Sequence, residues 1–233
     1  MKKYTFTLTV MLIAGLISGL PGQSSISSDI YISNGERVDR KVSSVSGDIS
    51  IGQKAKVEAP VSSVSGDIEV GAKAQVQDIG SVSGDLSIAK GANTYDLETV
   101  SGDIHLYGEN EVDGTIETVS GDLVVESGSV IKENIASVSG DIELDDTSLK
   151  GEIRTVSGDI SLFNGTIVEG DIIIKRKSNI SQFNQGKLKI VIDLNSLVKG
   201  SIRVTEPDTN VIVFLSNGGK VRGDIINAEV VEK

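Results

Sequence analysis

Apolar and polar residues alternate in short runs that recur at a constant interval along most of this chain. Between Val45 and Ile51 every second residue is apolar or glycine, the period of a half-buried β-strand. The run belongs to a six-residue motif, [S/T]-V-S-G-D-[I/L], whose copies lie 18 or 19 residues apart and begin at Ser44, Ser63, Ser81, Thr99, Thr118, Ser137 and Thr155. A degenerate copy, ISSDIYI, starts at Ile26.

Each copy is followed by a polar or glycine-containing turn and then by a second, shorter alternating segment. The segment VDGTIETV, which begins at Val112, places Val112, Gly114 and Ile116 on one side. Glu117 and Thr118 would then form a corner before the next copy starts. The pattern predicts a coil made of strand, turn, shorter strand and corner.

A unit of 18 or 19 residues cannot bury its own apolar face, so the regular repeat predicts that successive units stack. The same side chain would then recur about every 4.8 Å along the stack. The predicted fold is all-β, a single-stranded parallel β-solenoid (β-helix) that is right-handed by the crossover rule. An antiparallel sandwich gives no reason for the constant period, and an outer-membrane barrel needs more aromatic residues than four Phe and four Tyr.

The N-terminus has the pattern of a secretory signal peptide over residues 1–22. Lys2 and Lys3 precede an apolar run that ends near Leu20, and small, turn-forming residues follow. The run is shorter than the ~20 residues that a membrane span needs. We therefore expect a secreted or periplasmic protein with no membrane span after cleavage.

The remaining residues, 23–233, are predicted to form one solenoid domain. Residues 26–174 carry the regular repeats, and residues 175–187 are predicted to form a protruding loop. Residues 188–233 keep the apolar-x-Gly-x-Ile pattern at wider spacing, and a solenoid needs atypical terminal coils. We expect these residues to be C-terminal capping coils.

Composition excludes several function classes. Asp and Glu number 33 against 22 Lys and Arg, which argues against a nucleic-acid partner because phosphates require a basic face. The absence of Cys excludes disulfides, a thiolate metal site and a cysteine nucleophile. Gly47 and its equivalents lie mid-strand in this interpretation, where glycine would permit close approach of the facing strand. A phosphate-binding loop would need glycine in a strand-to-helix turn.

The polar side of the repeat is the candidate binding face. It would present the first Ser or Thr of each motif, the second Ser and the Asp as parallel columns. The binding-face residues are Ser46, Asp48, Ser65, Asp67, Ser83, Asp85, Ser101, Asp103, Ser120, Asp122, Ser139, Asp141, Ser157 and Asp159. In water each neighbouring Asp pair at 4.8 Å costs about 0.9 kcal/mol, so an offsetting interaction is expected. Ser hydroxyls that donate to the carboxylates, or Ca²⁺ bridging the Asp column 48–159, would supply it.

The tandem SVSGDI and TVSGDI coils, together with the ending GGKVRGDIINAEV, resemble a bacterial secreted family of β-strand repeats. That SGD-repeat family has no known function and is often labelled an adhesin. A weaker similarity, through the V-x-G-[DS]-I units at Val168, Val198 and Val221, is to bactofilins. The first resemblance implies an extracellular binding role, and the second implies self-assembly.

The favoured function is a non-enzymatic structural or adhesin-like binding module whose Ser/Thr–Ser–Asp face contacts a cell-envelope or extracellular polymer or protein. No cofactor is expected, and Ca²⁺ at the Asp column is the candidate ion. The alternatives are a self-associating, bactofilin-like scaffold, an ice-binding array, and a polysaccharide-acting β-helix enzyme. The enzyme hypothesis lacks a distinguishing group, because repetition supplies carboxylates everywhere and His105, the single His, occupies an ordinary outward position.

Overall fold

The computed structural model describes residues 23–175, 187–207 and 210–232, and its secondary structure there consists of short β-strands. The predicted signal peptide and most of the predicted loop, residues 176–186, lie outside the described residues. The strands are β1 (Gln23–Ser25), β2 (Ile30–Ile32), β3 (Arg37–Val38), β4 (Val42–Ser44), β5 (Ile49–Ile51), β6 (Lys56–Val57), β7 (Val61–Ser63), β8 (Ile68–Val70), β9 (Gln75–Val76), β10 (Ile79–Ser81), β11 (Leu86–Ile88), β12 (Asn93–Thr94), β13 (Leu97–Thr99), β14 (Ile104–Leu106), β15 (Glu111–Val112), β16 (Ile116–Thr118), β17 (Leu123–Val125), β18 (Val130–Ile131), β19 (Ile135–Ser137), β20 (Ile142–Asp145), β21 (Ser148–Leu149), β22 (Ile153–Thr155), β23 (Ile160–Phe163), β24 (Ile167–Val168), β25 (Ile172–Ile174), β26 (Leu188–Ile192), β27 (Leu197–Val198), β28 (Ile202–Val204), β29 (Val211–Leu215), β30 (Lys220–Val221), β31 (Ile225–Ile226) and β32 (Glu229–Glu232).

Every third strand belongs to the same sheet, so the chain forms a β-solenoid with three sheets. The strands within each sheet are parallel. Sheet A runs from β1 to β31 and sheet B from β2 to β32, with 11 strands each, and sheet C runs from β3 to β30 with 10. The register follows the repeat: Ile49 pairs with Ile68, and Leu86 pairs with Ile104. The predicted parallel, in-register solenoid is confirmed.

The coil has three strands, whereas the sequence pattern predicted two. The predicted long strand from Ser44 to Ile51 is two strands, β4 and β5, separated by a bend. The second segment also crosses a bend, with Val112 in β15 and Ile116 in β16. Glu117 and Thr118 lie within β16, so the corner predicted at these residues is wrong.

The core is a continuous stack of aliphatic side chains between the three sheets. In a three-residue strand the outer two residues point inward, so β14 buries Ile104 and Leu106 while His105 faces out. Ile104, Leu106 and Val112 of one coil are each fully shielded from solvent. Burial of each such side chain contributes about 1.5–3 kcal/mol, which holds together coils that are too thin to fold alone.

Strands β26 to β32 extend the same three sheets, so residues 188–232 continue the coils beyond the segment that the structure leaves undescribed. In the last four strands, β29 to β32, Leu215, Val221 and Ile225 are only partly buried, and Val230 is 43% exposed. That these coils cap the solenoid stays a prediction. Within the described ranges no helix is long and apolar enough to cross a membrane.

Candidate functional site

The S/T-V-S-G-D-I motif forms the corner where the chain passes from sheet A to sheet B. In coil 2, which comprises β4 to β6, Ser44 ends β4 and Ile49 begins β5, with the bend between them. Val45 and its equivalents are half-buried in the bend and do not point into the core, so their predicted inward orientation is wrong. We call this line of corners the Ser–Asp corner.

The first Ser or Thr of the motif points into the solenoid, and the prediction that it faces solvent is wrong. Ser44 is 2% exposed and Ser81 0%, and the other five positions are equally buried. The physical reason is a hydrogen bond across the bend: the Ser81 hydroxyl oxygen accepts the backbone N–H of Gly84 at 2.8 Å. The same bond recurs at Ser44–Gly47, Ser63–Gly66, Thr99–Gly102, Thr118–Gly121 and Ser137–Gly140. This column therefore takes no part in a binding face.

The motif glycine is required by the neighbouring coil, not by the facing strand as the sequence pattern suggested. A Cβ on Gly102 would lie 2.0 Å from the carbonyl oxygen of Gly84, the equivalent residue in the preceding coil. Real Cβ atoms do not approach a carbonyl oxygen so closely. Glycine is therefore what allows successive corners to stack at the spacing of the sheets.

The motif aspartates form a hydrogen-bonded ladder along the corner. Oδ1 of Asp48 accepts the backbone N–H of Asp67 at 2.9 Å, and Oδ1 of Asp103 accepts that of Asp122 at 2.8 Å. The bond recurs at each step from Asp29 to Asp159, whose Oδ1 accepts the backbone N–H of Lys189. We call this series the Asp ladder.

The Asp ladder identifies the interaction that offsets the predicted repulsion between stacked carboxylates. Each carboxylate is stabilised by a backbone N–H that would otherwise lack a partner at the bend, and charge-assisted bonds of this kind are stronger than neutral ones. The serine hydroxyls bond elsewhere: those of Ser46 and Ser139 donate to the carbonyls of Ile26 and Val119 in the preceding coil. The predicted hydroxyl-to-carboxylate pairing is therefore not what the structure uses.

The predicted binding-face residues are nevertheless brought together along one corner. The serines from Ser46 to Ser139 and the aspartates from Asp48 to Asp141 are exposed, and Ser157 and Asp159 are half-buried. Among the described residues, no group of three or more acidic or His side chains converges closely enough to hold a metal ion. Any cation at this corner would therefore meet spaced carboxylates and not a closed cage of ligands.

A family model described as Toastrack DUF4097 matches residues 23–106 and 78–211. The chain belongs to the Toastrack family. This is a β-solenoid-like repeat family of unknown function, and it is not a known enzyme family. Comparison with curated proteins and with solved structures found no match.

A second acidic group lies outside the Ser–Asp corner of this Toastrack chain, on the outer face of sheet A. Glu98 and Glu117 are paired neighbours in β13 and β16. Burial raises the pKa of Glu98, and the charges of Glu117 and Asp96 add to the effect. Burial also raises the pKa of Glu117, again with a contribution from Asp96. Sequence reasoning missed this group, although Glu98 and Glu117 stand at equivalent positions of successive repeats.

His105 lies on the outer face of β14, as its position in the repeat predicts, and its side chain contacts two neighbours. Its ring stacks on the ring of Tyr107, with centroids 3.8 Å apart, and its Nε2 lies 2.9 Å from Oε1 of Glu126. His105 and Tyr107 lie two residues apart, and Glu126 stands one coil further along. The Toastrack coil thus brings together side chains that no local motif connects.

Proposed function

We propose that this chain is an exported, non-enzymatic binding module whose Ser–Asp corner contacts an extracellular or cell-envelope partner, assisted by divalent cations. The observation that carries the proposal is the Asp ladder. Because Oδ1 of each ladder aspartate is held by the next coil, the carboxylates have a fixed direction and a spacing of about 4.8 Å. Such a row is rigid before any ligand arrives, which lowers the entropic cost of binding.

The carboxylate oxygens of the Asp ladder favour cations and partners that bind together with cations. Oδ1 is committed to a backbone N–H, which leaves Oδ2 as the oxygen available to a ligand. Calcium binds carboxylate, carbonyl and water oxygens and tolerates irregular geometry. A cation between neighbouring aspartates would keep open coordination positions for the oxygens of a polymer or of a partner protein.

The repetition of the corner supports binding along its length, not chemistry at one point. Catalysis by acid and base requires two groups in different environments, so that one is protonated while the other is not. The carboxylates of Asp67, Asp85 and Asp103 instead each accept the backbone N–H of the next ladder aspartate with the same geometry. Export is supported by the pattern of residues 1–22 and is part of the proposal.

The test measures binding of Ca²⁺ alone by calorimetry and of polymers on a glycan array, with and without millimolar Ca²⁺. The variant Asp85→Asn, Asp103→Asn, Asp122→Asn keeps the Oδ1 acceptors and removes three charges. We expect it to fold like the wild type and to lose Ca²⁺ binding and cation-dependent retention of the polymer.

A matched control separates the corner from net charge. Three glutamates that are exposed elsewhere can be neutralised to give the same change in charge: Glu69→Gln, Glu133→Gln and Glu143→Gln. This control should bind like the wild type. Equal loss in both variants, or no binding by the wild type, would remove the Ser–Asp corner as the binding site, and product release from any polymer would establish an enzyme instead.

A self-assembling scaffold is the second candidate function, favoured by the C-terminal end of the solenoid. No described strand pairs with the outer edges of β30, β31 and β32. Val230 continues the core column of Val213, which is fully buried, but is itself 43% exposed. Strands with open edges and apolar ends can pair with another chain.

Sedimentation of the protein and of Val230→Lys tests this candidate. End-to-end stacking should produce open-ended polymers that persist in high salt, because apolar burial drives it, and the substitution should abolish them. A wild type that stays free of such polymers at tens of micromolar would contradict the scaffold.

A further inference from the structure

The turns that join sheet B to sheet C carry a pattern of charge that the proposed function does not use. These turns form one edge of the solenoid, which we call the turn ridge. In coils 2, 3 and 4 the ridge presents Lys54, Lys73 and Lys90, and all three side chains are exposed. Coils 5, 6 and 7 present exposed Glu109, Glu126 and Asp146 at the same edge.

The charges of the turn ridge are therefore antisymmetric about the boundary between coil 4 and coil 5. Three successive coils are basic and the next three are acidic. The flanking turn of coil 8 is uncharged, with Asn164 and Gly165, and the turn of coil 1 ends the basic run with one acidic residue, Glu36, whose carboxylate accepts the backbone N–H of Ser33. The pattern thus has a centre and two ends.

Four of these charged residues occupy a backbone position that favours glycine. Lys54, Lys73, Glu109 and Asp146 have φ values of 58°, 60°, 53° and 42°. Other coils place Gly35, Gly91, Gly128, Gly165 and Gly218 at this point of the turn. A left-handed conformation costs a non-glycine residue about 1–2 kcal/mol. Charges at a position where glycine is more stable indicate a role beyond the stability of the turn.

The outer charges of the ridge have no ion-pair partner within the described residues. Lys90 bonds to Glu109 at 2.9 Å at the centre of the pattern, and Glu126 contacts His105. Lys54 and Lys73 make no ion pair with the described part of the chain, and neither does Asp146. Like charges about 4.8 Å apart repel one another, so these residues gain most from an external partner.

We propose that the turn ridge is a self-complementary surface through which two copies of this chain associate side by side in antiparallel orientation. A two-fold axis at the boundary of coils 4 and 5 brings each basic coil opposite an acidic coil of the second copy. Lys54 then faces Asp146, and Lys73 faces Glu126. Each of these contacts occurs twice, as a two-fold interface requires.

A second copy fits the ridge better than a polyanion does. A polyanion would gain from the three lysines but would be repelled by the three acidic coils that follow on the same edge. Only a partner with the opposite order of charges can pair with both the basic and the acidic coils. An antiparallel copy of this chain has that order, because its acidic coils lie opposite the basic ones. The six charged coils span about 24 Å at the spacing of parallel strands.

The dimer should be weak and sensitive to salt, because the ridge is narrow and its charges are exposed. Exposed ion pairs contribute about 0.2–1 kcal/mol each and are screened at high ionic strength. Sedimentation velocity at about 0.01 M and about 1 M ionic strength is therefore the measurement, since the Debye length falls from about 30 Å to about 3 Å between them. We expect dimers at the lower ionic strength and monomers at the higher.

Charge reversal makes the test specific for the antiparallel arrangement. Lys54→Glu or Asp146→Lys alone should weaken the dimer ~10-fold, because two attractive contacts become repulsive. The double variant Lys54→Glu, Asp146→Lys should restore it, since the same two residues face each other with their charges exchanged. Lys73 and Glu109 occupy the same left-handed turn position in other coils, so both substitutions introduce a residue type that this turn already accommodates.

Lys220→Glu is the matched control, because Lys220 is exposed in β30 and the change in net charge is that of Lys54→Glu. It should leave the dimer unchanged. A wild type that is monomeric at about 0.01 M ionic strength, a dimer that survives about 1 M, or a double variant without restored association would each overturn the proposal. The ridge shares no residue with the Asp ladder, so failure here and failure of the Ser–Asp corner to bind are separate results.

Discussion

Oδ1 of Asp103 accepts the backbone N–H of Asp122 at 2.8 Å, so a side chain in one coil is the hydrogen-bond acceptor for a backbone amide of the next. The bend at the Ser–Asp corner breaks the regular sheet pairing, and this amide would otherwise be left without a partner. Gly121 of the same bend donates its N–H to the Thr118 hydroxyl oxygen. The corner is therefore held by side-chain acceptors, and their contributions can be measured separately.

Substitutions of Asp103 should separate the acceptor from the charge. Asp103→Ala should lower the free energy of unfolding by about 1–3 kcal/mol, because the N–H of Asp122 loses its acceptor. Asp103→Asn keeps the carbonyl oxygen and removes one member of a row of like charges, so it should leave stability unchanged or raise it at low salt. Urea unfolding at neutral pH measures both, and equal losses for Ala and Asn would contradict the ladder.

Gly102→Ala should prevent correct stacking of coils 4 and 5. The new Cβ would lie 2.0 Å from the Gly84 carbonyl oxygen, and both are backbone-anchored atoms that cannot yield without shifting a coil. Gly91→Ala is the comparison, because its Cβ would meet only the Lys73 side chain at 3.5 Å. It should cost only the ~1–2 kcal/mol of a left-handed backbone. Thermal unfolding of the two variants should differ clearly, and similar midpoints would show that the close approach is not limiting.

Ser81→Ala should destabilise the protein by about 1–3 kcal/mol, because the N–H of Gly84 is buried and would lose its acceptor. Ser81→Thr should be close to neutral, since Thr99 and Thr118 fill the same role in later coils. Denaturant unfolding distinguishes these results. If Ala were tolerated as well as Thr, the buried hydroxyl would be a packing feature only.

Glu117→Gln should raise stability at pH 7 and have no effect well below pH 4.5. Burial raises the pKa of Glu117 above its ordinary value of 4.5, so the folded state binds this proton more readily than the unfolded state. The stability that protonation contributes is present below the unfolded pKa and is lost as pH rises through the folded pKa. Gln is neutral throughout and avoids that loss. Unfolding midpoints of both proteins from pH 3 to pH 8 test the sign, and a destabilised variant at pH 7 would contradict it.

The stacking and most of the core were predictable from sequence, because the repeat fixes which residues occupy the same column. The number of strands was not. Gly47 and Ile49 are both buried on either side of the bend, so the sequence pattern of apolar and polar residues runs from Val45 to Ile51 without interruption, although Ser44 and not Val45 points inward. Hydrophobic periodicity alone does not distinguish a strand from two strands joined by such a bend.

The candidate site was predictable in its residues but not in its bonds. Coulomb's law indicated that stacked aspartates require an offset, yet the donor is a backbone N–H whose direction depends on the bend. Period-two alternation places Ser44 on the outer side with Ser46 and Asp48, whereas its burial depends on one hydrogen bond to Gly47. The turn ridge was missed because its charges differ from coil to coil, and sequence reasoning followed the residues that repeat.

The Asp ladder also bears on how such proteins change in length. Each coil supplies an acceptor to its successor and receives one from its predecessor, so an internal repeat such as residues 81–98 can be deleted or duplicated as a unit while every corner amide keeps a partner. Unequal recombination between repeats would then produce longer or shorter relatives that fold without compensating substitutions. The height of the molecule becomes a trait on which natural selection can act in increments of one coil.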